Sequence, residues 1–513
     1  MNLCFLQILM FLISYKLICA HAYSILAYPV NSKSHILAFT KFAAALTERN
    51  HRVDILIPTN NELNFEIDAS IGIIRYPTRF ETCFIDDICA EAMETTPSGY
   101  FQTVNKALEG FAIFREYCQN ECEDLLQNQE LIRRLSERAY DLLILDNTCA
   151  ICGAILPYKL NLPFIIFSTG GIYWYNRIPV LPSISPHLLL PLSEIMSFTQ
   201  RFINLIVFCI AEYNIDNLID DHSYSRKYVP EKQALTPSKI LQEAMLYFYR
   251  HNDLMQFPLP KAQNIIHVSD LTVEDASPLP AEFESILGST NNSVILFSIG
   301  TNLQDIPDDL ARKLCSAFRM LPPSNIVILK AGPISNCSNN VIIKPWLPQN
   351  ALLAHPKVKL FITHCGVKSY IESAYHGTPM IGLPIALDQK GNCAYMEHKG
   401  LGICMGHIGS FQSHELAENI NIVLKNAQFL ENAKNVSEIM HNQLLRDKEK
   451  VAFWIEHVVQ FGSKHLKAPG DETNLFQFFM IDVFIAMILL VTFVLFFTFF
   501  TSIKSLLLHY MIQ

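Results

Sequence analysis

Charge is scarce in this chain. Only 17% of its 513 residues are Asp, Glu, Lys or Arg, and 39 basic residues face 48 acidic ones, for a formal net charge of −9. No basic cluster stands out, which excludes the electrostatic footprint of a nucleic-acid-binding protein. Short tandem repeats are missing, so a solenoid is excluded. The first strand-loop, Tyr28-Pro-Val-Asn-Ser-Lys-Ser-His35, has no G-x-G-x-x-G, which argues against a nicotinamide enzyme. Nor does an Asp-x-Asp follow any strand. The pairs Asp86-Asp87 and Asp220-Asp221 sit in irregular segments and read as solvated, so no metal site and no cofactor are expected.

What the chain has instead is apolar mass. Half of its residues are hydrophobic, enough for large cores, and the length calls for two or three domains. Part of the excess lies at the ends. Residues 2–19 are mostly apolar and precede Ala20-His21-Ala22, an A-x-A cleavage pattern, so residues 1–22 read as a signal peptide. Lys16 within the run and the uncharged start leave an uncleaved anchor as the alternative. Val483 to Ile503 holds no charge between Asp482 and Lys504, and about 20 such residues span a bilayer core. The expected arrangement is a lipid-anchoring helix at 483–503, a cytosolic tail at 504–513 and the bulk of a type I membrane protein in the lumen of the endoplasmic reticulum. The cysteines fit an oxidising compartment, where disulfides form in a pairing that sequence does not assign; the close pairs Cys118/Cys122 and Cys149/Cys152 make zinc the weaker alternative. Three sequons begin at Asn291, Asn336 and Asn435.

Between the ends, strands alternate with helices. Tyr23–Tyr28 reads as a strand, Pro29–Ser34 as a loop, Ile36–Glu48 as a helix and Val53–Ile57 as the next strand. Buried strands recur at Tyr140–Leu145 and Phe164–Phe167. An apolar stretch at Ile195–Ala211, interrupted by Arg201 and Asn204, reads either as a core helix or as a substrate- or membrane-facing one. Residues 270–292 form a polar linker with Pro278 and Pro280. A second strand-loop-helix-strand then begins: Val294–Ile299, Gly300–Pro307, Asp308–Met320, Ile326–Lys330. The fold class is therefore α/β, with parallel sheets and crossover helices in an N-terminal unit, 23–269, and a C-terminal unit, 293–475.

The densest chemistry lies between Trp346 and Asn392. Leu360–Thr363 is a buried strand, His364-Cys365-Gly366 a turn, and Ser369 stands at a helix start. Such a helix end offers unpaired N–H groups and partial positive charge to an anion. Gly366 admits a phosphate to the backbone, while Ser369 and His364 can donate to it. Glu372, one turn beyond Ser369, suits a ribose diol. Trp346 can stack on a base. Asp388 and Gln389 can hold sugar hydroxyls. Singly each residue has a plainer role, in a core, at a cap or in solvent; the joint spacing points to a nucleotide diphosphate carrying a sugar.

This segment resembles the signature of the UDP-glycosyltransferase family, the membrane-bound type that includes UDP-glucuronosyltransferases. Ser298-Ile299-Gly300-Thr301, Phe453-Trp454-Ile455-Glu456 and the stretch Leu475–Val483 are similar to other parts of that family's pattern. The resemblance implies a GT-B fold, in which two Rossmann-like domains face each other across a cleft. It implies a UDP-sugar co-substrate with Trp346 on uracil, Gln349 at the nucleoside, Glu372 on the ribose, and His364, Gly366, Ser369 and Thr301 at the phosphates. Asp388 and Gln389 would hold the sugar. Lys368 departs from the pattern, since many relatives carry Asn there.

In the N-terminal half, His35 opens the first helix and Asp146 ends a strand at the edge where open parallel sheets gather binding groups. A His oriented by a carboxylate is suited to general-base work. The family pattern has its catalytic His and Asp in the matching motifs. The resulting expectation is an inverting transfer of a hexose, glucose or glucuronic acid, to a small lipophilic hydroxyl acceptor, with His35 as base and Asp146 behind it. A membrane-anchored UDP-sugar-binding or scaffold protein without turnover is the alternative, and a homo-oligomer is left open.

Overall fold

Two all-parallel sheets organise the chain, each wound in both directions from a central strand. The computed structural model describes residues 22–79, 116–168, 180–288, 293–300, 306–467 and 474–512, apart from isolated positions and pairs within those ranges. The signal-peptide expectation and Thr301 lie outside the described residues.

The first sheet contains β1 (Ser24–Tyr28), β2 (Arg52–Pro58), β3 (Gly72–Tyr76), β4 (Leu142–Asp146), β5 (Phe164–Ser168), β6 (Tyr247–Arg250) and β7 (Ile265–Val268), in the order β3-β2-β1-β4-β5-β6-β7. The second contains β8 (Val294–Ser298), β9 (Ile326–Lys330), β10 (Val341–Lys344), β11 (Val358–Thr363), β12 (Met380–Gly382) and β13 (Gly402–Cys404), in the order β10-β9-β8-β11-β12-β13. In each sheet the winding reverses beside the first strand, between β1 and β4 and between β8 and β11. Loops diverge at such points and leave a crevice at the strand ends.

The central strands are runs such as Ile25-Leu26-Ala27 and Ile295-Leu296-Phe297, buried on both faces, as expected for sheets covered on both sides by helices. On one face of the first sheet Leu26, Leu143 and Ile166 pack with Leu125 and Ile155; on the other Ile25, Ile144 and Phe167 pack with Phe39 and Phe42 of the helix Lys33–Thr47.

The second face is completed from far along the chain. Val451, Ala452, Ile455 and Val458 of the helix Asp447–Phe461 are fully buried in that same cluster. Glu456 holds the helix there through Arg49 at 2.7 Å and His51 at 3.0 Å. The sequence boundary that assigns everything from 293 to 475 to the second unit therefore does not follow the packing. Local pattern marks an amphipathic helix but cannot say which sheet its stripe covers.

The linker side is also joined. Met255 is buried among Phe283 of the linker and Tyr370 and Tyr395 of the second unit, and the rings of Phe257 and Tyr395 meet at 4.8 Å. Cys122–Cys152, Cys315–Cys337 and Cys393–Cys404 are disulfides; Cys152 is bonded to Cys122, so it is not available to the zinc alternative.

The last helix, Ile481–Ile512, is longer than the 483–503 span read from the sequence. It is the one helix among the described residues long and apolar enough to cross a membrane; an 18-residue window within it has mean hydropathy 2.9, and none of that window is buried. The apolar helix Phe198–Ile219 has Phe198 and Phe202 largely exposed.

Candidate active site

The sites expected from sequence fall at the two reversal points. In the first sheet, the loop after β1 carries Val30 to Ser32 into the helix Lys33–Thr47, with Ser32 at its N-cap. His35 therefore sits in the first helical turn, aimed at the end of β4. Its Nδ1 lies 2.7 Å from Asp146 Oδ2. The same carboxylate accepts hydrogen bonds from the backbone N–H of Val30 at 3.3 Å and of Thr148 at 2.9 Å. Asp146 is 1% exposed. Burial alone would raise its pKa, but the His35 charge and hydrogen bond and the Thr148 N–H outweigh it and hold the carboxyl below its ordinary value. An ionised Asp146 fixes the orientation of the His35 ring through Nδ1.

Beneath this pair lies a buried polar group that sequence reading missed. Glu121 is 1% exposed and accepts a hydrogen bond from Tyr76 Oη at 2.8 Å. Burial pushes its carboxyl up to about 7, although hydrogen bonds from Tyr76 and Tyr117 work the other way. Tyr117 Oη also accepts from Asn31 Nδ2 at 3.0 Å, which ties this network to the loop before His35.

In the second sheet, β11 ends at Thr363, and His364, Cys365 and Gly366 lead into the helix Val367–Tyr375. Gly366, not Ser369, is its N-cap, so the helix begins two residues earlier than the sequence reading. Ser369 lies within the first turn, buried. Gly300, after β8, and Gly366 close on the imidazole of His364: a Cβ at Gly300 would lie 2.8 Å from His364 Nε2, and one at Gly366 only 2.4 Å. Gly300 also has φ +95°, a backbone region that favours glycine. His364 Nδ1 is buried and has no hydrogen-bond partner among the described residues. Burial, helped by the Lys330 charge, pushes the His364 pKa down to about 4, so at neutral pH the ring is an uncharged single donor.

Gln349 starts the helix Gln349–Ala354 and joins two of the expected residues. Its Nε2 donates to Ser369 Oγ at 3.1 Å and to Glu372 Oε2 at 2.5 Å. Glu372 is 2% exposed, and Lys368 Nζ lies 3.8 Å from its other oxygen. Lys368 thus faces the carboxylate on its own helix. Trp346 is 42% exposed at the same rim. Lys330 Nζ lies 5.9 Å from the Trp346 ring centre and donates to the Gly300 carbonyl. It is buried at the end of β9. The sequence reading ended a strand at Lys330 but gave it no role; a lysine closing an otherwise apolar strand was the available signal.

Asp388 and Gln389 stand at the start of the helix Gln389–His398. Asp388 Oδ2 accepts from Asn392 Nδ2 at 2.7 Å. Burial raises the Asp388 pKa, partly offset by the charge of Arg250 from the end of β6 and by Asn392. Arg250 is thus a first-unit cation felt by a second-unit carboxylate. Gln389 Oε1 accepts from the backbone N–H groups of Ile385 at 2.7 Å and Ala386 at 3.1 Å, so half of that side chain builds the turn before the helix.

The structure thus groups Gln349, Ser369 and Glu372 by direct contacts, brings Trp346 to Lys330, sets His364 between Gly300 and Gly366, and holds His35 with Asp146 on the other sheet. A family model described as UDP-glucoronosyl and UDP-glucosyl transferase matches residues 24–511. Human UDP-glucuronosyltransferase 2A2 is 29% identical over 478 residues, covering 90% of this chain and 88% of its own. Human 2-hydroxyacylsphingosine 1-beta-galactosyltransferase is 28% identical, covering 90% of this chain and 84% of its own. Among solved structures, a UDP-glucosyltransferase from Polygonum tinctorium superposes with a TM-score of 0.57 at 15% identity, covering 86% of this chain and 99% of that one. The spinosyn forosaminyltransferase SpnP gives 0.58 at 13%, covering 86% and 100%. These two share the fold, which is GT-B.

Proposed function

The chain belongs to the UDP-glucoronosyl and UDP-glucosyl transferase family, and from that premise we propose an inverting transfer of a hexose from a UDP-sugar to a small lipophilic hydroxyl compound. The acceptor loses its proton to His35 Nε2. Its oxygen attacks the anomeric carbon from the face opposite UDP, the carbon–oxygen bond to the diphosphate breaks, and UDP leaves with its electron pair. Asp146 holds the ring through Nδ1 and stabilises the imidazolium. The single observation that carries this reading is the 2.7 Å bond between His35 and Asp146 at a sheet's reversal point.

The donor would lie over the second sheet. Trp346 would stack on uracil, Gln349 and Glu372 would take the nucleoside and ribose, and His364, Gly366, Ser369 and Thr301 would face the diphosphate. Asp388 and Gln389 would hold the sugar. The N-terminus of the helix Val367–Tyr375 offers its N–H groups to the leaving diphosphate, so the reading asks for no metal or organic cofactor in transfer. The relatives include glucuronosyl- and galactosyltransferases by name, so the proposal stops at hexose. For location we infer a type I protein of the endoplasmic reticulum, lumenal in bulk and anchored by Ile481–Ile512. The exposure of the sequon residues Asn336 and Asn435 is in keeping with that side of the membrane.

Purified protein offered UDP-glucose, UDP-galactose or UDP-glucuronate with a phenolic acceptor should release UDP and form a glycoside. His35→Ala should abolish transfer and retain UDP binding. Turnover that survives this substitution overturns the assigned base; UDP-sugar binding without turnover in the unaltered protein would indicate a binding protein.

A further inference from the structure

At the far edge of the first sheet, three potential metal ligands that have no role in the transfer described above converge. β6 pairs with β7 so that Tyr249 stands opposite His267. Alternation along a strand puts residues 249 and 251 on one face, and the rings follow: Tyr249 and His267 meet edge-on at 6.5 Å, and the His251 and His267 rings lie 4.5 Å apart. The turn after β6 then brings Asp253 over both. Its Oδ1 is 2.9 Å from His267 Nδ1 and 3.7 Å from His251 Nε2, and the three ligand atoms all lie within 4.8 Å of one another.

Two observations separate this cluster from an ordinary surface ion pair. Both imidazoles are almost fully buried, at 4% and 6% side-chain exposure. His251 Nε2 has no hydrogen-bond partner among the described residues, although it points at the carboxylate. Leaving a buried polar atom unsatisfied is costly. An ion bound by His251 Nε2, Asp253 Oδ1 and His267 Nδ1 would satisfy it. Ligand atoms about 2.0–2.2 Å from a tetrahedral ion sit roughly 3.4 Å apart, and the spacings of 2.9 and 3.7 Å bracket that value. Two imidazoles with one carboxylate suit zinc and its neighbours rather than magnesium or calcium, which take oxygen.

We propose that His251, Asp253 and His267 form a structural site for a zinc-class divalent ion, with water as the fourth ligand. The site would staple the connection between the two units. Asn252, between two of the ligands, accepts from the N–H groups of Leu254 and Met255 and donates to Ser269 at 2.6 Å. Met255 enters the second unit's core. The ion would thus fix the turn from which the chain crosses. Lys261 Nζ, 2.6 Å from Asp253 Oδ2, occupies the carboxylate's other oxygen and opposes a cation. This gives the site a residue whose removal should strengthen it.

The test uses the full-length protein in detergent, stripped with chelator and titrated with Co²⁺ and Zn²⁺, read by visible absorption and calorimetry. One ion per chain is expected, with a tetrahedral Co²⁺ spectrum and a higher Tm. His267→Gln and Asp253→Asn should each weaken binding by about 100-fold or more. Asp253 is largely exposed, so the second variant reports even if the first folds poorly. Lys261→Ala should tighten binding several-fold. The exposed pair His457 and His465, whose Nε2 atoms lie 2.8 Å apart, is the competing site on this surface. Absence of stoichiometric binding overturns the proposal. So does binding unaffected by Asp253→Asn and His267→Gln, binding weakened by Lys261→Ala, or binding lost with His465→Gln.

Discussion

His35 and Asp146, 111 residues apart in sequence, are joined by a 2.7 Å hydrogen bond through His35 Nδ1. The carboxylate is buried and ionised, so its contribution is to fix the ring and stabilise it once protonated. Asp146→Asn keeps the shape but removes the charge. The expected outcome is a fall in kcat of about 10²–10⁴-fold with little change in KM for the donor. Steady-state kinetics with saturating acceptor checks it; a change confined to KM would remove His35 and Asp146 from the chemical step.

Glu121 gives a prediction in pH. Its carboxyl is raised from 4.5 to about 7 in the folded protein, chiefly by burial. Between those values the folded state holds a proton that the unfolded chain has released. Stability from this group is therefore fully present below about pH 4.5 and is lost as pH rises through about 7. Glu121→Gln should flatten that fall, so that the variant gains stability relative to the unaltered protein as pH is raised from 5 to 8. Thermal melts across this range decide it, and parallel curves would mean that Glu121 is ionised throughout.

The returning helix Asp447–Phe461 should stabilise the first unit although it follows the second in sequence. Ile455 is fully buried against the first sheet. Ile455→Ala should cost about 2–5 kcal/mol, measured by denaturant unfolding. A chain ending at residue 440 should expose the Phe39–Phe42 face and aggregate. A soluble, monomeric chain of that length would show that the helix is dispensable.

Much of this architecture was legible from residues alone. The runs Ile25-Leu26-Ala27 and Ile295-Leu296-Phe297 are long and apolar, so the central strands and the parallel α/β class followed from pattern. The grouping of Gly366, Ser369 and Glu372 was legible because they lie close in sequence on one turn and helix. The short outer strands β12 and β13, three residues each, carry too little pattern to be read singly. Contacts made over long separations left no local trace. The packing of Val458 on the first sheet, the Lys330–Trp346 approach and the convergence of His251 with His267 all depend on which elements become neighbours.

Gly366 should be intolerant of even one methyl group. A Cβ there would lie 2.4 Å from His364 Nε2, and the Gly300 backbone stands against the same ring, since a Cβ built on it would lie 2.8 Å from that nitrogen. The ring cannot yield without leaving its place at the head of the helix Val367–Tyr375. Gly366 has φ −59°, so alanine meets no backbone strain and the effect isolates the contact. Gly366→Ala should therefore weaken UDP binding by about tenfold or more, the equivalent of a lost hydrogen bond to a charged group, while the melting temperature shifts only slightly. Calorimetric titration with UDP checks this. If His364 is needed for the diphosphate, His364→Ala should weaken UDP to a similar extent, and Gly366→Ala combined with it should add little. Additive losses would mean that the glycine serves the phosphate through its own backbone, independently of the histidine.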